Sequence, residues 1–427
     1  MSWREITIGS FLKERPDRIK PDQANSLGLK RIEKIDFSGN IYLADNTSTR
    51  TDMILVKPGD LVISGINVAK GALAVYEGTE DVLATIHYSS YEFDKSIIDI
   101  EYLKWFLTSN IFMNILKEQV GGGIKTELKP KKFLPLKIKL PDINLQREIA
   151  KKINNVSNEI KALKETNEEN YELISKLRQS ILQEAVQGKL VPQDPNDEPA
   201  SLLLERIKEE KERLIKEKKI EKEKPLPPIT EDEIPYELPK GWEWVRFEKI
   251  ARIASKPVNP EKYPNMFHIA PDNIEKGTGK LLLYRTVIED GVKSVNHYFY
   301  PGQILYSKIR PNLSKAVVVE FEGLCSADMY PIVSYINTKY LLYFILSKTF
   351  LNQVVLRDNR VKMPKINQND LNKVLVAVPP LNEQKRIVEK VDQLMALCDE
   401  LEKNIEQSKK DSELLMQTVL QEAFKEA

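Results

Sequence analysis

The segment PDINLQREIAKKI, from Pro141 to Ile153, is echoed by PPLNEQKRIVEKV, from Pro379 to Val391. Aligning Ile149 with Ile387 gives an offset of 238 residues. The same offset superimposes two copies of LQEA near the far end of each segment. No gap is needed over about 40 residues, so the two copies have equal length. An internal repeat is therefore the dominant signal in this sequence.

The repeat extends upstream of these segments. LKWFLTSNIF, from Leu103, resembles LLYFILSKTF, from Leu341, at the same offset. Both stretches predict helices, near residues 100–119 and 338–356, and the matched pairs Phe106/Phe344 and Phe112/Phe350 are expected in the core. Between these anchors the halves diverge. The sequence thus predicts a shared frame around two different variable regions.

Apolar residues in both copies recur every seven residues, which is typical of a coiled coil. The heptad positions are Ile149, Val156, Leu163, Leu177 and Ile153, Ile160, Ile174, Ile181 in the first copy, and Ile387, Leu394, Leu401, Leu415 and Val391, Cys398, Ile405, Val419 in the second. A helix of this length spans about 60 Å. Such a stripe needs a partner, and the other copy is the obvious one. Antiparallel pairing is favoured because it separates the two domains, which gives a pseudo-twofold molecule.

Other residues predict how these helices begin, end and register. Pro141 and Asn144 are expected to stop the preceding chain and cap the first helix, and Gly188 with Pro192 is expected to end it. Asn167 and Asn170 interrupt the first stripe, as Ser408 and Ser412 interrupt the second. These polar residues indicate either a layer that sets the register or a widening where another helix enters.

The sequence predicts an α+β fold, with two globular mixed α/β domains separated by an antiparallel coiled coil of two long helices. Its five predicted segments are residues 1–140 (first domain), 141–188 (first long helix), 189–240 (connector with a charged helix and a proline-rich stretch), 241–378 (second domain) and 379–427 (second long helix). Short apolar runs with Gly and Pro punctuation predict strands in both domains.

The composition of the chain limits which classes of protein it can belong to. The chain has 427 residues, of which 41% are hydrophobic, with 64 basic and 63 acidic residues. Cys325 and Cys398 are the only cysteines, so we expect no disulfide framework. The N-terminus lacks an apolar signal core, and no apolar run is long enough to cross a bilayer. We therefore expect a soluble, cytoplasmic protein with no membrane partner.

Local clusters of basic residues are candidates for contacts with double-stranded DNA, although the total charge has no basic excess. In the first half they are Lys125, Lys129, Lys131 and Lys132, beside Gly121-Gly122-Gly123. In the second half, Arg357, Arg360, Lys362 and Lys365 are interpreted as the equivalent stretch, and Ser307, Lys308, Arg310, Asn312 and Lys315 form a further group suited to base edges. For any single residue, an ordinary basic surface is the alternative.

Catalytic and cofactor motifs are absent from the sequence. It contains no G-x-x-x-x-G-K-[ST] phosphate loop, no dinucleotide fingerprint and no Cys/His cluster at metal spacing. His87, His268 and His297 lie far apart, and Pro271-Asp272 is interpreted as a turn. The sequence therefore predicts a non-catalytic chain with no metal or cofactor of its own.

The chain resembles the specificity subunits of type I restriction-modification complexes over nearly its full length. The resemblance lies in PPLNEQKRIVEKVDQLMALCDELE and its echo, in VPQDPNDEPASLLLERIKEEKERLI, and in ELPKGWEWVRFEKIA. It implies two target-recognition domains that each read one part of a split DNA target. It also implies helices that act as a ruler and dock two adenine methyltransferase subunits. Restriction/translocase subunits would join them, and the partners would use S-adenosylmethionine, ATP and Mg.

Two other functions stay open on the residues alone. A non-catalytic coiled-coil scaffold with two protein-binding lobes would have the same architecture. A self-sufficient DNA-modifying enzyme is disfavoured by the missing motifs. DNA affinity in the presence of a methyltransferase separates the first from a specificity subunit, and methylation by the chain alone would identify the second.

Overall fold

A computed structural model describes residues 3–15, 18–37, 39–45, 49–67, 72–120, 128–222, 225–356 and 364–426. Its α-helices are α1 (Pro21–Leu27), α2 (Ile100–Thr108), α3 (Asn110–Val120), α4 (Pro130–Phe133), α5 (Ile143–Val186), α6 (Ala200–Lys216), α7 (Phe247–Ile250), α8 (Thr338–Leu346), α9 (Lys348–Leu356), α10 (Gln368–Asn372) and α11 (Leu381–Ala423). Within these ranges, none of the helices combines the length and apolar character that a membrane span requires.

Two compact units make up the chain, and each contains parts of both long helices. The first unit is Met1–Glu169 with Ile405–Ala427, and the second is Asn170–Asn404. In the first unit the start of α5 packs against the end of α11, and in the second the end of α5 pairs with the start of α11. The helices are therefore antiparallel in each unit. The predicted α+β class with two long antiparallel helices is confirmed, and the five-segment division stays a prediction.

The described strands of the first unit form three small sheets. Its strands are β1 (Arg4–Thr7), β2 (Leu12–Glu14), β3 (Arg18–Ile19), β4 (Arg31–Ile35), β5 (Ile41–Ala44), β6 (Met53–Val56), β7 (Leu61–Ser64), β8 (Leu73–Val75), β9 (Val82–Thr85), β10 (Tyr88–Phe93) and β11 (Lys137–Leu140). They form the sheets β1-β11, β2-β10-β7-β8 and β3-β6-β9-β4-β5.

The second unit repeats this topology strand for strand. Its strands are β12 (Glu243–Arg246), β13 (Ala251–Ile253), β14 (Pro257–Val258), β15 (Phe267–Ile269), β16 (Arg285–Thr286), β17 (Asn296–Phe299), β18 (Ile304–Ser307), β19 (Ala316–Val318), β20 (Gly323–Cys325), β21 (Met329–Ser334) and β22 (Leu375–Val378). The sheets are β12-β22, β13-β21-β18-β19 and β14-β17-β20-β15-β16. The internal repeat thus includes the variable regions, which share strand order although their sequences differ.

The predicted helices and core aromatics near each domain's end are confirmed. Helices α2 and α3 occupy the first predicted stretch, and α8 and α9 occupy the second. Phe106, Phe112, Phe344 and Phe350 are all buried. Because these helices pack beside the long ones, they join each domain to the helical part of its unit.

A glutamine at the start of each long helix makes the same hydrogen bonds in both copies of the repeat. Gln146 is fully buried; it donates to Pro141 O (2.9 Å) and accepts from Asp99 N (2.9 Å). Gln384 makes the equivalent bonds to Pro379 O (2.8 Å) and from Asn337 N (2.9 Å). Each glutamine therefore fixes the angle at which a long helix leaves its domain.

The predicted N-cap was wrong by two residues. Helix α5 begins at Ile143, and Asp142 caps it by accepting hydrogen bonds from Asn144 N (3.0 Å) and Leu145 N (3.2 Å). Asn144 therefore lies inside the first turn of the helix. Residue type alone did not decide between the two positions, because Asp and Asn are equally good N-cap residues. Gly188 ends the helix as predicted, with a φ of 71° that favours glycine.

One of the two predicted heptad lines is buried except at Val419, which is half-buried. Ile153, Ile160, Ile174 and Ile181 are buried, as are Val391, Cys398 and Ile405. The other line opens to solvent in both helices: Leu163, Leu177, Leu401 and Leu415 are 41%, 46%, 47% and 50% exposed. These leucines were predicted as core residues, and that prediction was wrong because the two helices cover one line and leave the other at the edge of their contact.

A polar layer interrupts the buried line. Asn167 is buried, and its Nδ2 donates to Ser408 Oγ at 3.2 Å. This bond across the helix pair is what a register-setting layer requires, because a shift of either helix would leave the amide buried without its partner.

The connector is anchored to the second domain by a buried cation. Arg246 donates to both carboxylate oxygens of Glu233, at 2.8 and 2.6 Å, and to Lys373 O. The guanidinium lowers the pKa of Glu233 to about 2. Helix α6 buries Leu203 and Ile207.

Candidate nucleic-acid interface

The loop between β18 and β19 carries the predicted base-reading group. Arg310 and Ser314 have φ values of 47° and 45°, in the left-handed region that residues other than glycine rarely adopt. Both flank the short 3-10 turn Pro311–Leu313. Such backbone strain persists only where the surroundings enforce it, and it concentrates at functional sites.

A second segment of chain clamps this loop. Arg310 N donates to Pro364 O (2.8 Å), and Ile366 N donates to Lys308 O (2.9 Å). Lys365 lies between them and forms an ion pair with Asp328 (3.3 Å). The structure therefore brings together two groups that are about 50 residues apart in the sequence, Lys308–Lys315 and Lys365.

Lys308 is the electrostatic centre of this junction. Burial, and secondarily the charge of Lys365, lowers the pKa of Lys308. Its ammonium lies 5.0 Å from the centroid of the Tyr330 ring. Burial and the charge of Lys308 also lower the pKa of His297. A part-buried cation beside another cation favours an anionic or strongly polar ligand.

The predicted residues of the loop differ in exposure. Arg310 and Asn312 are exposed. Ser307 is only 2% exposed and donates to Ile309 O (3.0 Å), so it supports the loop, and its predicted contact with DNA stays a prediction. Lys315 is turned inward, where its Nζ donates to Pro271 O (2.8 Å). Its ammonium thus joins the loop to the 3-10 turn Pro271–Asn273, which was predicted as a turn.

The first domain has an equivalent junction. Leu128 N donates to Gly65 O (2.8 Å), as Ile366 does to Lys308. Lys131 and Lys132 are exposed on α4, and Lys129 is its N-cap residue.

The counterpart of α4 in the second domain is α10, whose sequence QNDLN carries no basic residue. Lys129, Lys131 and Lys132 therefore have no basic counterpart on α10, and the predicted equivalence of the two basic stretches stays a prediction. Lys125, Arg357, Arg360 and Lys362 lie outside the described residues.

Sequence reasoning missed the residues that surround Lys308. Asp328, Tyr330 and His297 come from three different strands or turns, and only strand pairing brings them together. In the described part of the chain, no group of three His, Cys, Asp or Glu side chains is placed to hold a metal ion.

Comparison with known proteins identifies the family. A family model described as the type I restriction modification DNA specificity domain matches residues 239–408. The type I restriction enzyme EcoDI specificity subunit of Escherichia coli is 36% identical over 338 residues, which cover 79% of this chain and 72% of that protein. The chain belongs to the type I restriction enzyme specificity subunits.

Further relatives agree with this assignment. The EcoAI specificity subunit of Escherichia coli is 38% identical over 261 residues, which cover 58% of this specificity subunit and 44% of the relative. The HsdS subunit from Thermoanaerobacter tengcongensis has a TM-score of 0.57 at 16% identity, covering 99% and 96% of the two chains. A chain from structural work on complex assembly and conformational transition of the type I R-M system has a TM-score of 0.62, also at 16% identity, covering 99% and 97%. At that identity the likeness supports the fold alone.

The DNA specificity domain of this specificity subunit contains the junction around Lys308. Residues 239–408 include β18, β19, Lys365 and the first part of α11. The strained loop, the clamped cations and the exposed Arg310 therefore lie in the part of the subunit that matches the DNA specificity domain.

Proposed function

We propose that this specificity subunit reads a bipartite, asymmetric DNA target, one part with each mixed α/β domain. The observation that carries the proposal is the repeated strand order of the two domains, combined with different residues at equivalent junctions: Lys308 and Ile366 in one, Gly65 and Leu128 in the other. One scaffold used twice with different loops suits two different half-targets. Phosphate contacts would position each domain, and exposed groups such as Arg310 and Asn312 would read base edges.

The long helices are proposed to dock two methyltransferase subunits. Each compact unit exposes one leucine of the second heptad line from each helix: Leu163 and Leu415 in the first unit, Leu177 and Leu401 in the second. Exposed apolar residues at repeated positions indicate a protein interface that is used twice. This duplication supports two equal docking sites.

Catalysis is assigned to those partners. The partner subunits would supply S-adenosylmethionine for adenine methylation, and restriction/translocase subunits would use ATP and Mg. This chain would contribute sequence recognition and spacing without a reaction of its own. A cytoplasmic location follows from its proposed substrate, the DNA of the cell.

Sequencing of methylated bases tests this function. Cells that carry this subunit with its methyltransferase should show a split motif with adenine methylation on both parts. Inactivating the subunit alone should remove the mark. Normal assembly with the methyltransferase but no DNA affinity would favour the scaffold, and methylation by the isolated chain would favour a self-sufficient enzyme.

A further inference from the structure

A cleft in the second unit is lined by cations. Its volume is about 460 Å³, and its walls include Arg252, Lys256, Tyr300, Gln303 and Ser334. Neither Asp nor Glu is among the described residues that line it. The cleft lies within the DNA specificity domain but belongs to a different set of residues from the junction around Lys308.

The first unit shows what fills the equivalent place there. Strand pairing aligns Arg15 with Ala254, because Arg15 N donates to Ser90 O as Ala254 N does to Pro331 O. It also aligns Asp60 with Gln303, because Tyr76 N bonds to Asp60 O as Val319 N does to Gln303 O. The remaining position, Glu92, corresponds to Val333, as the β2-β10 and β13-β21 registers show.

In the first unit these three positions form a closed ion cluster. Arg15 bonds to Asp60 at 2.6 Å and to Glu92 at 2.8 Å, and the Asp60 side chain is 3% exposed. The second unit has replaced the cluster by Ala254, Gln303 and Val333. The second unit therefore lacks the two carboxylates and the guanidinium of this cluster. An open cleft lies in their place, and its lining contains the cations Arg252 and Lys256.

Among the described residues that line the cleft, no carboxylate faces either of its two cations. Arg252 Nε is buried with no hydrogen-bond partner among the described residues. Lys256 Nζ is bonded to Tyr300 Oη (2.7 Å) and lies 4.8 Å from the centroid of the Tyr298 ring. Gln303 Oε1 accepts from Tyr300 N (2.8 Å), which leaves the amide NH₂ as a further donor. Because a buried N–H without a partner is costly, and the described lining of the cleft brings no carboxylate to its cations, this donor set favours an anion from outside.

We propose that this cleft binds a phosphate group, and that its occupant is a backbone phosphate of the DNA bound by the second domain. The inference rests on the proposed DNA-reading function and adds a positioning contact that the first domain lacks. A guanidinium, an ammonium and an amide match the oxygens of a phosphate. The cleft would fix the register of the second domain on the duplex without reading sequence.

The test compares three proteins in the full chain, alone and with co-expressed methyltransferase subunits. They are the wild type, the double variant Arg252→Gln/Lys256→Gln, and the control Lys262→Gln/Lys293→Gln, which removes the same charge from exposed positions of the same domain. Affinity for a duplex carrying the methylated motif is measured over a salt series. Losing one phosphate contact should make the slope of log K against log salt shallower by about one in the cleft variant. The control should keep the wild-type slope, and a fourth protein, the conservative variant Arg252→Lys, should keep most of it because the positive charge is retained.

Duplexes with one neutral methylphosphonate locate the contact. One position should cost the wild type roughly tenfold in affinity and cost the cleft variant nothing further. Lys256→Gln alone, at an exposed site, serves if the double variant fails to fold. An unchanged slope with normal target binding would overturn the proposal.

Two further results would assign the cleft elsewhere. Thermal stabilisation of wild type but not variant by inorganic phosphate, with an unchanged DNA slope, would identify a free phosphate as occupant and overturn the DNA contact. Loss of methyltransferase copurification with an unchanged slope would identify an acidic protein surface. If the wild-type complex binds no DNA, the proposed function fails instead, and the phosphate arm still decides whether the cleft is an anion site.

Discussion

Arg310 combines strain, exposure and a fixed backbone. Its φ of 47° costs conformational free energy, and its amide is tied to Pro364 O. The side chain is exposed beside Asn312, whereas Ser307 and Lys315 turn inward to hold the loop. The loop is therefore rigid at its base and presents two side chains that can recognise bases, as direct readout requires.

Replacing Arg310 and Asn312 by Ala should weaken recognition of the second half-target only. Each bidentate base contact contributes about 1–3 kcal/mol of discrimination, so methylation should spread to variants of that half-target while the first half stays fixed. Motif mapping by methylated-base sequencing measures this. Arg285→Ala, at another exposed arginine of the same domain, should leave the motif unchanged. Equal loss at both halves would instead indicate misfolding or a phosphate role.

At this scale the sequence predicted residue types but not their orientation. Basic and amide groups around Lys308 were evident from composition. Burial of Ser307 was not, because β18 is buried on both faces and alternation gives no signal there. The environment of Lys308 depends on Asp328 and Tyr330, which long-range pairing brings into place.

Among the elements, the end of α11 has a role that its heptads do not suggest. Phe424 is fully buried against Tyr102 and Phe106, with ring centroids 5.3 and 5.5 Å away. The residue that directly follows the second long helix therefore completes the core of the first unit. The equivalent Val186 is also fully buried, in the second unit. Each long helix thus starts at one domain and ends in the core of the other unit.

Phe424→Ala should destabilise the first unit by about 3–5 kcal/mol, because it leaves a cavity among aromatic rings. Thermal denaturation of the full chain should show a lower melting temperature for the transition of that unit. Leu414→Ala, at a residue of the same helix that is 63% exposed, should change stability by no more than about 0.5 kcal/mol. Similar losses in both variants would contradict a specific anchoring role for Phe424.

The exposed leucines of the second unit should support one methyltransferase copy. Leu177→Ser with Leu401→Ser removes apolar surface that the folded chain itself leaves open, so folding should be retained and docking lost. The mass of the purified complex should fall by one methyltransferase subunit. Ile288→Ser, at a position 65% exposed outside the helices, is the control. A complex that keeps both copies would contradict docking at these leucines.

The sequence predicted the two long helices better than any other element. It did not predict that one of their two heptad lines is exposed to solvent. A seven-residue period follows from the sequence of one helix. Which of two apolar lines is covered depends on how the partner helix is rotated, and that is a property of the pair. A heptad line of leucines that is buried between two helices and a heptad line that is exposed for docking a partner have the same sequence pattern.

For the whole molecule, the sequence showed the repeat only in the long helices and in the helical segments that precede them. The variable regions share strand order β2-β10-β7-β8 with β13-β21-β18-β19, although their residues diverge. Strand order is set by long-range pairing, which short apolar runs do not encode. The net charge of +1 gave no hint of DNA binding, since cations are concentrated at a few places. The ion cluster of Arg15 and its replacement by an open cleft became visible only when the registers were compared.

If the helices act as a ruler, shortening both by one heptad should shorten the gap between the half-targets. Seven residues span about 10 Å of helix, which equals about three base pairs at 3.4 Å each. Deleting Lys164–Asn170 from α5 together with Ile405–Asp411 from α11 removes Asn167 and its partner Ser408 at the same time, and it keeps the apolar stripe in phase because the period is seven. Methylated-base sequencing should then show the same two half-targets with a shorter gap.

A four-residue deletion from each helix is the matched control, since it rotates the stripe away from its partner. It should lower stability and abolish methylation, whereas the heptad deletion should keep the helix pair intact. A heptad-deleted subunit that methylates its motif with the original gap would disprove the ruler. The gap would then be set by the domains or the partner subunits, and the equal length of the two repeats would reflect docking alone.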